Sequence, residues 1–245
     1  ALCRSADGTV EIRIAAVEMG QGALTTLRKV VAETLEIPLE QVDYHVPDTA
    51  AVPDSGPTVA SRTAMVVGGL LRNAALRLKE TPPPAPGEEP QEVVEHYRQP
   101  EYVQWDQETF HGDAYPAFSW GVNVVEVEVD RVTYEVTPLR IVGVYDVGEP
   151  LDEAIVVGQM HGGIVQALGW ATSEKLEIAE GRLRQHNLTD YIIPGSRDIP
   201  PIEVEFVSNP YPYGPFGAKG AGELPFNGVA PALAAAVEHA LGVSV

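Results

Sequence analysis

The change of period between residues 10 and 35 constrains the fold more than any other feature of the chain. Val10, Ile12 and Ile14 alternate with Glu11 and Arg13, the two-residue repeat of a strand with one buried face. Leu24, Leu27, Val31 and Leu35 then recur at three- and four-residue spacing, which puts them on one stripe of a helix. Gly20-Gln21-Gly22 lies between the two patterns. The predicted unit is a strand over about 10–17 ending at Glu18, a glycine turn, and a helix whose N-terminus the turn opens. A chain that passes from sheet to helix so quickly must pack helices on a sheet.

The same logic extends along the chain. A second helix is predicted over about 64–78, with Leu70, Leu71, Ala74 and Leu78 on its buried face and Ser61 or Thr63 as its cap. Residues 81–117 hold six prolines before Pro116, eight acidic residues and one arginine, a composition suited to a connecting segment. Val125, Val127 and Val129 alternate with acidic neighbours, turn at Asp130-Arg131, and return from Val132 to Val144 as a hairpin. A helix over about 157–172 follows, then a strand with Ile202, Val204 and Phe206 inward. The last helix runs from Val229 to Leu241, with Pro231 early and Gly242 behind it. This order gives an α+β fold, with a first α/β subdomain over 1–80, a connecting segment over 81–117 and a second subdomain over 118–245. The strand beginning near Leu2 is expected to leave an open edge for a partner.

Composition narrows the partners. Sixteen Lys and Arg against 35 Asp and Glu give a net charge of −19, which disfavours nucleic-acid backbones and anionic membranes, since phosphate is bound chiefly by neutralising it. No apolar run approaches the roughly 18 residues of a membrane span, and the start of the chain lacks the order of a signal peptide; the expected location is cytoplasmic. Cys3 is the one cysteine, so neither a disulfide framework nor a cysteine-held zinc or iron–sulfur site can come from this chain alone.

Four segments can carry chemistry: Glu18-Met-Gly-Gln-Gly22, Gly56-Pro-Thr-Val-Ala-Ser-Arg62, Gly158-Gln159 with Gln166, and Gly217-Ala-Lys-Gly-Ala-Gly-Glu223. Each opens a helix or forms its first turns, where free N–H groups and the positive dipole end favour polar or anionic ligands. Singly, each has an ordinary alternative. Gln21 could be a surface turn residue, Gln159 and Gln166 could hold backbone at a helix contact, and Glu223 could favour a nearby helix N-terminus electrostatically. His161 is assigned no role. A Gly-x-x-x-x-Gly-Lys-Ser/Thr phosphate loop is absent, which leaves little for a nucleotide-binding reading.

Taken in order, the motifs resemble a family. Glu-Met-Gly-Gln-Gly, Pro-Asp-Ser-Gly-Pro-Thr-x-Ala-Ser-Arg, Ala114-Tyr-Pro-Ala-Phe-Ser-Trp-Gly121, Gly-Gln-x-x-Gly-Gly-x-x-Gln and Gly214-Pro-Phe-Gly-Ala-Lys-Gly-Ala-Gly-Glu223 are similar to the molybdopterin-binding subunit of the molybdenum hydroxylases, the xanthine dehydrogenase and aldehyde oxidase family, over nearly the whole chain. The resemblance implies the mixed α/β sandwich subdomains of that family's molybdopterin-binding domain. It implies a molybdenum–molybdopterin cofactor, with its mononucleotide or dinucleotide form left open, and no side chain ligating the metal. It also implies that Gln21 and the amides of Gly20 and Gly22 contact the cofactor. Val59, Ala60, Ser61, Arg62 and Thr63 would line the pterin and its phosphate, with Gln159 and Gln166 as further hydrogen-bonding groups. Glu223 matches the family's catalytic base in hydroxylation of an aldehyde, purine or N-heterocycle with water as oxygen source. Expected partners are the other half of the molybdopterin-binding unit, an iron–sulfur subunit and a FAD subunit. The family's Gly-Gly-Phe-Gly loop, a cofactor-facing arginine and the substrate-sandwiching aromatics are absent from these residues, so substrate identity is not legible. A noncatalytic assembly or scaffold homologue that has lost turnover is the alternative.

Overall fold

The computed structural model describes residues 1–244, and the fold is α+β. The chain forms two compact units, one comprising Ala1–Ser119, Val147–Ile155 and Ser208–Gly220, the other Trp120–Asp146, Val156–Val207 and Ala221–Val245. Both are discontinuous in sequence, and the 81–117 segment lies wholly within the first span of the first unit.

The first unit contains β1 (Leu2–Arg4), β2 (Val10–Ile12), α1 (Ala23–Leu35), β3 (Val42–Asp43), α2 (Gly68–Lys79), β4 (Gln91–Val93), and the short pair β5 (Trp105–Asp106) and β6 (His111–Gly112). Its sheet has the order β3-β2-β1-β4. The edge expected at Leu2 is therefore closed: β1 pairs antiparallel with β2 on one side and with β4 on the other. Residues 91–93, hidden inside an acidic, proline-rich stretch, supply the strand that covers it. Leu27 and Val31 of α1 and Leu71 and Leu78 of α2 are buried with Leu2 and Val10, each such side chain contributing about 1.5–3 kcal/mol.

The predicted strand over 10–17 keeps its alternation, with Ile14 and Ala16 buried, but its ladder ends at Ile12. Beyond that point the N–H of Ala15 donates to Ser55 Oγ (2.5 Å) and that of Val17 to Thr58 Oγ1 (2.9 Å). Pro53 and Pro57 lack N–H groups, so the neighbouring segment answers with side-chain oxygens instead of a ladder. The second helix is preceded by a π-helical turn, Thr63–Val67, so its N-cap position falls at Val67 and not at the predicted Ser61 or Thr63. Ala60 and Ser61 have φ of 51° and 53°, and the residues that lead into the π turn and into α2, Arg62 and Val67, are already right-handed helical, so neither start has the extended residue that side-chain capping needs.

The second unit is built on β7 (Trp120–Val129), β8 (Val136–Asp146), all but the first turn of α3 (Glu153–Thr172), the pair β9 (Ile178–Ala179) and β10 (Arg182–Leu183), β11 (Ile202–Phe206) and α4 (Phe226–Leu241). Its sheet order is β11-β8-β7, with β7 and β8 antiparallel and β11 parallel to β8. The hairpin turn is longer than Asp130-Arg131, because Asp130 Oδ1 accepts the N–H groups of Val132 (2.7 Å) and Thr133 (2.9 Å) and delays the return strand to Val136. Val229, Leu233 and Val237 form the buried stripe of α4. Gly228 lets this helix lie on β7, since a Cβ there would stand 2.0 Å from Asn123 Nδ2. Gly242 ends the helix in the left-handed region with φ of 73°.

Candidate functional site

The turn before α1 is closed by its own side chains. Glu18 Oε1 accepts the N–H of Gly20 (2.7 Å) and Gly22 (3.0 Å), and Oε2 accepts that of Leu24 (2.9 Å). Gly22, the N-cap residue, offers no side chain, so Glu18 satisfies donors a cap would otherwise take. Burial would raise the Glu18 carboxyl, but the N–H groups of Leu24, Gly22, Gly20 and Ala23 outweigh it and hold the group below the usual carboxylate range. Gln21 folds back on the same loop: its Oε1 accepts the Met19 N–H (2.6 Å) and its Nε2 donates to the Val17 carbonyl (2.7 Å). Underneath, the buried Tyr44 hydroxyl donates to the Ala16 carbonyl (2.7 Å). Burial, and then the charge of Glu18, pushes its pKa up to about 12. Open space lies where a Cβ on Gly20, at φ 105°, would be, so the loop presents bare backbone on that side.

The 53–63 segment runs alongside. Arg62 turns inward, donating from Nη1 to the carbonyls of Ser55 (2.9 Å) and Pro57 (3.1 Å), which fixes the curve of the segment. The consecutive left-handed residues Ala60 and Ser61 are strained, and such backbone persists where surrounding contacts over-determine it, often at ligand sites. One of those contacts is Gly220, whose missing Cβ would lie 2.6 Å from the Ser61 carbonyl oxygen, while its own carbonyl accepts the Ser119 hydroxyl (2.7 Å). The π-helical turn that follows at Thr63 is a second irregularity of the kind found at functional sites.

The first unit thus brings Gly20, Gln21 and Gly22 together with Val59, Ala60, Ser61, Arg62 and Thr63 through the bonds that Ala15 and Val17 make to Ser55 and Thr58. The amides of Gly20 and Gly22 are directed at Glu18 within the loop. Gln159, Gln166 and Glu223 belong to the second unit. Gln159 is half-buried and Gln166 exposed on α3, where added Cβ atoms at Gly158 and Gly162 would meet nothing within 4 Å. Exposed Glu223 sits in the turn just before α4. Among the described residues no three His, Cys, Asp or Glu side chains gather as a ligand set, so the candidate cofactor-holding groups are hydrogen-bonding loops. Sequence reasoning placed Glu18 at a strand end and at the head of a glycine motif but gave it no role of its own. The available signal was an acid four residues before a glycine N-cap, close enough to turn back onto the helix's first amides.

The sequence profile of the molybdopterin cofactor-binding domain family matches residues 3–200. The chain is 32% identical over 289 residues to the xanthine dehydrogenase molybdenum-binding subunit of Escherichia coli O157:H7, covering 100% of the chain and 37% of that protein. It is 29% identical over 257 residues to the aldehyde oxidoreductase of Megalodesulfovibrio gigas, covering 98% of the chain and 28% of the relative. Among solved structures, the aldehyde oxidoreductase from Desulfovibrio gigas superposes with a TM-score of 0.86 at 27% identity, over 100% of this chain and 28% of that one. The chain spans about a third of the length of these two relatives.

Proposed function

The chain belongs to the molybdopterin cofactor-binding domain family, and from that premise we propose that it is the part of a molybdenum hydroxylase that holds the molybdenum–molybdopterin cofactor and supplies the catalytic base, Glu223. The observation that carries the reading is the pairing of the 18–22 loop with the strained 59–63 segment, both inside the matched residues. These loops suit a polar, rigid cofactor: Gly20 has an open backbone face, Gln21 keeps a further N–H and lone pair beyond its two internal bonds, and the backbone of Ala60 and Ser61 is held before any ligand arrives. Gln159 and Gln166 are further candidates for hydrogen bonds to the cofactor, and Val59, Arg62 and Thr63 for its surroundings.

When bound, the cofactor supplies two-electron oxidation of an electron-poor carbon with water as oxygen source. Glu223 accepts the proton that the attacking oxygen must lose, which raises its nucleophilicity. Its role is carried by the Gly214-to-Glu223 motif, which lies past the matched stretch. The rest of the molybdopterin-binding unit, an iron–sulfur subunit and a FAD subunit, a small-molecule substrate and a cytoplasmic location belong to the same proposal. The test is Glu223→Gln in the assembled enzyme, with turnover normalised to molybdenum content. The variant should keep its molybdenum and lose a factor of about 10² to 10⁴ in turnover. Near-native normalised turnover rejects Glu223 as the base, and absence of molybdenum from the native assembly favours a scaffold that has lost catalysis.

A further inference from the structure

We propose that Glu18 is a positioning residue that fills the anion site at the start of α1, so that this loop meets a cofactor through the neutral carboxamide edge of Gln21 and not through phosphate. The inference rests on the reading of 18–22 as a cofactor loop.

A glycine turn opening a helix is a ready anion site, because its N–H groups converge and the helix dipole adds positive potential. In this chain that capacity is already used. The Glu18 carboxylate takes the N–H groups of Gly20, Gly22 and Leu24 at 2.7, 3.0 and 2.9 Å, all charge-assisted. A phosphate oxygen entering the same place would have to displace these bonds and stand beside a like charge held below the ordinary carboxylate range. The ligand-facing capacity left to the loop is neutral. Gln21 spends its Oε1 on Met19 and one Nε2 hydrogen on Val17, which keeps one donor and one acceptor side by side, the pattern that matches the amide-like edge of a heterocycle. The carboxamide is aimed by bonds to Val17 and Met19, and Glu18 fixes the backbone between and beyond them. Phosphate on the cofactor must then be met elsewhere, with the 59–63 segment one candidate for that part.

The experiment uses the assembled holoprotein carrying this chain, with Glu18→Gln, Glu18→Ala, Glu18→Asp and Gln21→Ala variants. Release of molybdenum and pterin is followed by mass spectrometry and by fluorescence of the oxidised pterin, at a temperature where circular dichroism shows each variant fully folded. Glu18→Gln and Glu18→Ala should release cofactor about tenfold faster than the parent, the scale of one lost charge-assisted hydrogen bond. Inorganic phosphate should slow release from Glu18→Ala by refilling the vacated site and leave the parent unchanged. Glu18→Asp keeps the charge on a shorter arm and should fall between, so it serves if the other two fail to fold. Parent-like release from the Glu18 variants alongside fast release from Gln21→Ala overturns the role of Glu18 and leaves the loop reading standing. Parent-like release from Gln21→Ala as well overturns both.

Discussion

Tyr44 lends its buried hydroxyl to the Ala16 carbonyl, just before the extended segment gives way to the 18–22 loop. A single methylene-free deletion tests how much that bond matters. Tyr44→Phe leaves the carbonyl without its donor, and the expected loss is about 1–3 kcal/mol of stability, a melting shift of roughly 2–4 °C per kcal/mol in a chain of this size. Calorimetry checks it, and an unchanged melting temperature would mean that water replaces the hydroxyl. The same residue gives an alkaline signature. Its folded pKa is raised from 10 to about 12, so between those values the unfolded chain loses a proton the folded chain keeps. Stability is therefore fully present below pH 10 and falls as pH rises toward 12. Tyr145 is raised to about 12 as well, so Tyr44→Phe should reduce that slope without abolishing it.

At the scale of the element, helix starts decide where side chains point. Asp152 accepts the Ile155 N–H through Oδ1 (3.1 Å) and pairs through Oδ2 with Lys29 of α1. It thereby starts α3 at Glu153, four residues ahead of the predicted Val157. Asp152→Ala should cost about 0.5–2 kcal/mol as a lost cap, while Asp152→Asn keeps the cap and gives up only the pair, a smaller loss because Lys29 is 43% exposed. The Lys29 hydrogen bond, followed by the Ile155 N–H, holds the Asp152 carboxyl below its ordinary value. Its contribution is present at neutral pH and is lost as pH falls through that lowered pKa. Denaturant titration of the parent and Asp152→Asn from neutral to acid pH should show their difference shrinking on acidification. A constant difference would remove Asp152 from the acid response.

For the whole molecule, the chain spans about a third of the length of two of its relatives, and the proposed reading assigns the remaining cofactor contacts to other polypeptide. A one-sided set of loops seldom offsets the entropy of ordering a cofactor. The chain produced alone is therefore expected to carry no molybdenum and to be inactive. Inductively coupled plasma mass spectrometry decides this: stoichiometric molybdenum on the isolated chain would show that these loops are sufficient by themselves.

The sequence by itself determined the periodic elements and the order of the motifs. The stripe Leu27, Val31 and the alternation Ile202, Val204, Phe206 are properties of spacing, and they survive into α1 and β11 because a helix or strand with one apolar face has one way to bury it. Gly20, Ser61 and Glu223 were singled out for a different reason, as members of an ordered set of motifs. Tertiary structure alone decided what closes the edge of β1, because β4 pairs with it from about 90 residues away and two-residue periodicity over Gln91–Val93 is too short to read. It also decided the direction of the polar groups. Whether the amides of Gly20 and Gly22 face a ligand or Glu18, and whether Arg62 reaches outward or holds Ser55 and Pro57, depends on backbone dihedrals and on neighbours brought near by folding. Local sequence carries no record of either.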